Sequence, residues 1–305
     1  MLSVKDVTRT FGSVRALDGV TFDVPRGQLT GFVGGNGAGK TTAMRIIMRV
    51  LAADSGTVTL DGAPVTAQAA RRFGYMPEER GLYPKMSTAE QVSYLGMLHG
   101  LDRATAQGRA IELLRILGLE PRAYDPVEKL SLGNQQRAQI AAALVHDPDV
   151  LILDEPFSGL DPLAVESVMG LLSKFADRGA AVLFSSHQLD LVERITDSLA
   201  IIAAGRIRAA GSRADLIAAH APPSYALQAA DLDWVATARG VSNVAKQPGQ
   251  VSFQADDAAA QEVLRLAVAR GPVVSFGPVV PSLAEIFKDV VEPAGPAANL
   301  QEATA

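Results

Sequence analysis

One glycine-rich segment has the composition of a loop that binds phosphate groups. Residues 34–41 read G-G-N-G-A-G-K-T and fit the pattern G-x-x-x-x-G-K-[ST]. Glycines let backbone N–H groups turn inward around phosphate oxygens, where a Cβ atom would obstruct the approach. We expect Lys40 to neutralise the outer phosphates of a nucleotide and Thr41 to ligate Mg²⁺. The predicted nucleotide-binding residues of this loop are Gly34, Gly35, Asn36, Gly37, Ala38, Gly39, Lys40, Thr41 and Thr42.

Two acidic residues follow a short apolar segment further along the chain. Residues 150–153 are Val, Leu, Ile and Leu, which is typical of a buried parallel strand, and Asp154 and Glu155 come directly after them. We expect Asp154 to hold Mg²⁺ and Glu155 to accept a proton from, or orient, an attacking water. Alternatively, the two acids are only solvated residues after a core strand. The phosphate-binding loop upstream makes that alternative the weaker one.

A second anion site is predicted between these two segments. Residues 130–137 read L-S-L-G-N-Q-Q-R and open an alanine-rich helix. Ser131 and Gly133 at a helix N-terminus would offer free N–H groups and the positive end of the helix dipole. In isolation, Ser131 would be an ordinary helix cap. Its position just before the acidic strand favours the anion site.

Together these segments resemble the ABC ATPases, because residues 130–135 are similar to that family's signature motif. The resemblance implies an α/β fold with a parallel-sheet core, an antiparallel β subdomain and a helical subdomain over about residues 80–143. It also implies ATP and Mg²⁺ as cofactors and ATP hydrolysis as the activity. Ser131, Gly133 and Asn134 are then expected to bind the ATP held by a second copy of the chain, giving a homodimer.

The resemblance assigns roles to four further residues. Phe11 stands where the family has an aromatic ring that stacks on adenine, although a core phenylalanine is an alternative. Glu78 replaces the family's usual glutamine near Mg²⁺ and the attacking water, which makes it a candidate metal ligand and catalytic residue. Its added negative charge could be offset by Arg80. Asp161, in the loop that follows the acidic strand, is a further predicted nucleotide-binding residue, and His187 resembles the catalytic histidine that senses the γ-phosphate.

The alternation of strand-like and helix-like segments predicts a nucleotide-binding domain over residues 1–217. Apolar segments predict strands at residues 29–33, 150–153 and 181–184, and helical spacing predicts a helix at 41–50.

A smaller domain is predicted for residues 218–291. Its pattern reads as strand, helix, hairpin, helix, strand and a final helix, an order that suggests a ferredoxin-like α+β accessory domain. The alanine- and proline-rich residues 292–305 are predicted to be a disordered tail. The predicted elements are strand 225–229, helix 232–239, hairpin 244–253, helix 258–270, strand 273–276 and helix 282–290.

Composition excludes several classes of protein. The 305 residues carry a net charge of −5, which argues against a nucleic-acid partner. With no cysteines there are no disulfides or thiolate metal sites, and the four scattered histidines do not suggest a zinc cluster. Apolar stretches are much shorter than the roughly 20 residues that cross a bilayer. We therefore expect any work at a membrane to be done through a partner.

The details of several segments resemble bacterial drug- and sodium-efflux exporter ATPases, in particular residues 79–86 and 281–287. This implies an integral-membrane permease as partner and a cytoplasmic location, on the inner face of the cell membrane. Three alternatives stay open: a soluble ABC ATPase acting on DNA or ribosomes, a non-hydrolysing regulatory subunit, and a small-molecule phosphotransferase. Too few residues separate Lys40 from Ser131 for the coiled-coil insertion of chromosome-associated members, and only one cassette is present.

Overall fold

The computed structural model describes residues 1–79, 81–220, 223–279 and 282–291. The chain divides into two compact units, the first Met1–Arg213 and the second beginning at Ala214. The predicted boundary after residue 217 lies within a helix, Arg213–His220. Arg80 and the predicted tail at 292–305 lie outside the described residues. Within the part of the chain that is described, no helix has the length and apolar character needed to cross a membrane.

The first unit contains two sheets and a group of helices. Its strands are β1 Leu2–Phe11, β2 Val14–Val24, β3 Leu29–Val33, β4 Ser55–Leu60, β5 Ala63–Pro64, β6 Phe73–Met76, β7 Val150–Leu153, β8 Ala181–Ser186, β9 Ser198–Ala203 and β10 Arg206–Ser212. Its helices are α1 Lys40–Ile47, α2 Ala67–Ala70, α3 Thr88–Leu98, α4 Arg103–Ile116, α5 Leu132–Leu144, α6 Pro162–Asp177 and α7 Leu189–Ile195, and α8 Arg213–His220 leads into the second unit.

The larger sheet has the strand order β10-β9-β3-β8-β7-β6. All pairs of neighbouring strands in this sheet are parallel, except that β9 and β10 pair with each other in antiparallel fashion. Every residue of β3, β7 and β8 is buried, as expected for strands with both faces covered. The predicted strands at 29–33 and 150–153 are confirmed, and the one at 181–184 continues to Ser186. The antiparallel sheet has the order β2-β1-β4-β5.

Helix α1 differs at both ends from the helix predicted at residues 41–50. It begins one residue earlier, at Lys40, and ends at Ile47. It ends there because Arg49 adopts a left-handed backbone conformation with φ 60°, which a right-handed helix cannot continue through. Helices α3, α4 and α5 occupy the region where the helical subdomain was expected.

The second unit contains one antiparallel sheet in the order β12-β13-β11-β14. The element predicted as a helix at 232–239 is wrong: the chain forms only a short 3₁₀ helix, Asp233–Thr237, in a segment with the weak helix formers Trp234 and Val235. The other elements match the prediction within two residues at each end. They are β11 Ser224–Ala229, β12 Ser242–Gln247, β13 Gln250–Gln254, α9 Asp257–Arg270, β14 Val273–Pro278 and α10 Leu283–Val291.

Candidate active site

The glycine-rich loop lies between β3 and α1, at the carboxyl edge of the parallel sheet. Gly37 and Gly39 have φ values of 73° and 109°, which favour glycine. A Cβ atom on Gly34 would lie 2.4 Å from the Ile202 carbonyl oxygen, and one on Gly39 would lie 2.7 Å from the Ala16 carbonyl oxygen. The loop therefore packs closely against neighbouring strands, and larger residues would displace it.

Helix α1 begins directly after this loop with its first N–H groups free of any side-chain cap. Such groups, together with the helix dipole, favour a bound anion. Lys40 is 8% exposed, and its Nζ donates to the carbonyl oxygens of Gly34 at 2.7 Å and Gly35 at 3.2 Å. These bonds hold the ammonium group over the loop, so the loop and Lys40 together fit the phosphates of a nucleotide.

Two oxygen groups suitable for Mg²⁺ meet beside the loop. The Thr41 hydroxyl donates to Asp154 Oδ2 at 2.7 Å, and the Ser185 hydroxyl donates to Asp154 Oδ1 at 2.5 Å. Mg²⁺ is commonly bound by one or two carboxylates completed by substrate phosphates and water. No group of three or more His, Asp or Glu residues forms a metal site among the described residues. The donor set therefore fits Mg²⁺ bound together with nucleotide.

Glu155 is held in an unusual backbone conformation at the end of β7. Its φ is 51°, which is uncommon for a residue other than glycine. Its N–H donates to the Ser185 hydroxyl at 2.8 Å, and His187 Nδ1 lies 3.0 Å from Glu155 Oε2. The His187 side chain is 57% exposed, while that of Glu155 is only 12% exposed. The pair thus joins a shielded carboxylate to an imidazole that is open to solvent.

A cavity of about 340 Å³ brings most of the predicted loop and acidic residues together. Its lining includes the three carboxylates of Glu78, Asp154 and Glu155 together with Lys40. On β6, burial raises the pKa of the Tyr75 hydroxyl. The lining residues are Ala16, Asn36, Gly37, Ala38, Gly39, Lys40, Thr41, Thr42, Glu78, Asp154 and Glu155.

The signature residues and Asp161 do not line this cavity. Ser131 caps α5, where its hydroxyl accepts from Asn134 N at 3.4 Å, and Asp161 caps α6 by accepting from Ala164 N at 2.9 Å. The two segments pack together, since a Cβ on Gly133 would lie 3.0 Å from the Gly159 carbonyl oxygen.

Phe11 also lies outside the cavity lining. Phe11 is 46% exposed, so the alternative of a core phenylalanine is wrong. The Arg9 guanidinium lies 4.8 Å from the ring centroid, a cation–π contact on one face of the ring.

Three buried polar residues near the site were missed by sequence reasoning. Ser185 contacts both Asp154 and Glu155, Gln136 Nε2 donates to the Glu155 carbonyl oxygen, and Gln139 Nε2 donates to the carbonyl oxygens on either side of Glu78. Their signal in the sequence is a polar residue in an otherwise apolar strand or an alanine-rich helix. Such residues, when buried, require a polar partner.

Comparisons with known families match both units. Residues 17–158 match the family described as "ABC transporter", and residues 211–291 match the one described as "ATP-binding protein DrrA1-3-like, C-terminal domain". The uncharacterized ABC transporter ATP-binding protein YhaQ of Bacillus subtilis is 36% identical over 95% of this chain and 98% of its own length. The linearmycin resistance ATP-binding protein LnrL of the same organism is 34% identical over 71% of this chain and 70% of its own length.

Comparison with solved structures points to the same family. The chain is similar to an ATP-binding subunit of an ABC transporter, with 33% identity and a TM-score of 0.67 over 72% of this chain and 92% of the other. It is also similar to the dimeric structure of the bacterial cassette MJ0796, with 26% identity and a TM-score of 0.64 over 70% of this chain and 98% of the other. These matches show that the fold is that of an ABC ATPase cassette. The chain belongs to the ABC transporter ATP-binding proteins, and its activity is ATP hydrolysis.

Proposed function

We propose that this ATP-binding subunit works as a homodimer that closes around two ATP molecules and drives a separate membrane permease, as an exporter. The observation that supports pairing is the position of Ser131. It opens α5 at an exposed surface, outside the cavity that holds Lys40, although its helix start has the properties of an anion site. A second copy would complete each site by a two-fold, self-complementary arrangement.

Exposed apolar side chains support the same pairing surface. Leu132 beside Ser131 is 61% exposed, and Leu163 at the start of α6 is 76% exposed. The contact between Gly133 and Gly159 brings these two segments together. An apolar surface of this kind loses water contact when two copies meet, and the related cassette MJ0796 has been solved as a dimer.

In the proposed reaction Glu155 accepts a proton from, or orients, the water that attacks the γ-phosphate. His187, bonded to the same carboxylate, orients it and senses the phosphate. Lys40 and the loop N–H groups bind the β- and γ-phosphates. Thr41, Asp154 and Glu78 would hold Mg²⁺, which supplies neutralisation of the developing phosphate charge. Phe11, whose ring is exposed, would stack on the adenine.

Mixing two inactive variants tests the shared site. Lys40→Ala damages the loop of one copy, and Ser131→Arg blocks the signature of another. A mixed dimer contains one intact site, formed by the loop of the Ser131→Arg chain and the signature of the Lys40→Ala chain. Random pairing makes half of the dimers mixed, so we expect about a quarter of unmodified activity to return.

The outcome separates a shared site from an internal one. Each variant alone should be inactive, and recovery should rise with the total protein concentration, because pairing is bimolecular. If each chain used its own Ser131, mixing would restore no activity, and the shared-site proposal would be abandoned.

A groove between α3 and α4 is the proposed docking place of the permease. It has a volume of about 540 Å³, and Tyr94, Met97, Ile111 and Tyr124 are among its lining residues. Tyr124 is 77% exposed and Tyr94 is 39% exposed. Large exposed apolar side chains around a groove suit a short amphipathic helical segment of a partner. The Nod factor export ATP-binding protein I of Ralstonia nicotianae, which is 37% identical over 71% of this chain and 68% of its own length, supports export.

Co-purification from membranes tests this coupling. A tagged chain should bring down a multi-spanning protein, and Met97→Asp should abolish that while the isolated subunit keeps its ATPase activity. Val50, which is 68% exposed and lies outside the groove, provides the control Val50→Asp. If the Met97→Asp chain still captured the membrane protein, the groove would not be the docking place. If the unmodified chain captured no membrane protein, a soluble ABC ATPase would be favoured.

We propose that the second unit helps two copies of the chain to pair. If it packs on its twin, the two nucleotide-binding units are tethered at a high effective concentration. The alternative is that it only shields the flank of the first unit.

A further inference from the structure

Helix α5 carries two buried amide side chains on one face. Gln136 and Gln139 are three residues apart, which places them side by side on a helix, and each is 4% exposed. The neighbouring buried positions Ala138 and Ala141 are apolar. Two polar side chains in this setting are costly to bury unless their hydrogen bonds are specific, so their partners reveal what they do.

Gln136 helps to hold Glu155 in its unusual conformation. Its Nε2 donates to the Glu155 carbonyl oxygen at 2.9 Å, while Ser185 accepts from the Glu155 N–H at 2.8 Å. A φ of 51° persists in a non-glycine residue only where its surroundings fix it from several sides. Gln136 fixes the carbonyl group of Glu155, and Ser185 fixes its N–H group. Without Gln136, the peptide after Glu155 can relax and carry the carboxylate away from its place beside His187.

Gln139 fixes the loop that carries Glu78. Its Nε2 donates to the Pro77 carbonyl oxygen at 2.9 Å and to the Glu79 carbonyl oxygen at 3.1 Å. One amide thus binds the backbone on both sides of Glu78. Glu78 cannot shift along the cavity wall without breaking one of these bonds.

We propose that Gln136 and Gln139 are positioning residues through which α5 holds Glu155 and Glu78 in their reactive places. The proposal rests on the roles given to these carboxylates under the proposed function. Because Ser131 caps the same helix, a shift of α5 when Ser131 meets a nucleotide would be passed to both carboxylates. The helix then acts as a rigid link between the signature and the hydrolytic residues.

Methionine substitutions test the proposal, because methionine keeps the length of glutamine but cannot donate. The control is Gln91→Met. Gln91 is a buried glutamine of α3, 1% exposed, and belongs neither to the signature segment nor to the cavity lining. We expect Gln136→Met and Gln139→Met each to lower kcat about tenfold or more with the Kd for ATP within about threefold of the unmodified chain. Gln91→Met should keep kcat within about threefold.

A double-variant cycle separates positioning from general loss of packing. If Gln136 acts through Glu155, adding Gln136→Met to Glu155→Gln should lower the residual kcat no further, since residues that act as a unit are non-additive. Effects on kcat that multiply, or an equal loss of kcat in Gln91→Met, would overturn the proposal. So would a folded Gln136→Met chain with unchanged kcat. If that chain does not fold, Gln136→Asn, whose shorter amide cannot reach Glu155, decides in the same way.

The same data keep this proposal apart from the proposed function. Full turnover in Glu155→Gln alone would remove the assigned role of Glu155. An inactive Glu155→Gln beside a fully active Gln136→Met would remove only the positioning role.

Discussion

The two units of the chain use β-sheets in different ways. In the first unit, β3, β7 and β8 are parallel and buried on both faces, so their side chains are almost entirely apolar. In the second unit, β13 alternates: Val251 and Phe253 are buried, while Gln250, Ser252 and Gln254 lie on the other face. That other face is uncharged at the neighbouring positions Ala226 and Gln228 as well.

The direction of the strands decides where reactive side chains can lie close together. Parallel strands all end at one edge, so the loops after β3, β6, β7 and β8 bring Lys40, Glu78, Glu155 and His187 to a single place. In the antiparallel sheet of the second unit successive strands end at opposite edges, and among the described residues of that unit no group of three or more His, Asp or Glu side chains meets. A uniform, uncharged sheet face instead suits contact with another surface. The following experiments test this division between chemistry and contact.

Replacing Glu155, the proposed general base, should have the largest effect, and that effect should be confined to the chemistry of the first unit. Glu155→Gln keeps the size of the side chain but cannot take a proton, so we expect kcat to fall by about 10²–10⁴-fold. ATP binding should persist, and the variant should accumulate as an ATP-bound dimer in light scattering. Turnover like that of the unmodified chain would show that Glu155 is not the base.

Removing the loop cation should weaken binding itself. Lys40→Ala deletes a buried ammonium group that lies over the phosphate loop, and charged hydrogen bonds contribute about 1.5–3 kcal/mol. We expect the Kd for ATP to rise by roughly one to two orders of magnitude in a fluorescent-nucleotide titration. An unchanged Kd would mean that the phosphates bind elsewhere.

Two glycines of the same loop provide a matched pair for stability. A Cβ on Gly34 would lie 2.4 Å from the Ile202 carbonyl oxygen, whereas one on Gly35 would meet nothing within 4 Å. Gly34→Ala should therefore lower the free energy of unfolding by about 1–3 kcal/mol, and Gly35→Ala should change it by less than about 0.5 kcal/mol. Denaturant unfolding measures both. Equal effects would contradict the close packing of the loop against β9.

Removing the second unit should have the smallest effect on chemistry. A chain ending at Arg213 should keep kcat within about twofold at high concentration, but its ATPase activity should fall more steeply on dilution, because the tether between copies is lost. Ser252→Arg in the full chain, which places a charge on the uncharged sheet face, should reproduce part of that shift. An unaltered concentration dependence in both would favour the shielding role.

The sequence predicted elements best where burial is complete. The strands at residues 29–33 and 150–153 were predicted at their observed limits, because uninterrupted apolar residues mark strands with two covered faces. It predicted β8 too short because Ser185 and Ser186 are polar but buried, and partners distant in sequence satisfy Ser185. The 3₁₀ helix at Asp233–Thr237 was predicted as a regular helix because its apolar spacing alone does not reveal its tertiary contacts, such as Lys246 with Asp233.

Some residues of the candidate site could be predicted from the sequence, and others could not. The residues of the glycine loop and the acidic pair lie within short motifs, so their types and spacing suffice to predict them. Gln136 and Gln139 contact loops distant in sequence, and only the folded chain shows which carbonyl groups they meet. In the proposed dimer the signature residues would act together with a second chain, and the structure of one chain gives only the position of Ser131 at the start of α5.

The central place of β3 has a consequence for how the protein is made. Its neighbours are β8 and β9, which pair with it through residues 182–186 and 198–201. At about 5–20 residues per second, those strands leave the ribosome roughly ten to thirty seconds after β3. During that interval the emerging chain carries an apolar strand without partners, which exposes it to aggregation and to chaperones. The phosphate loop packs against Ile202, so it reaches its final shape only after most of the first unit has been synthesised.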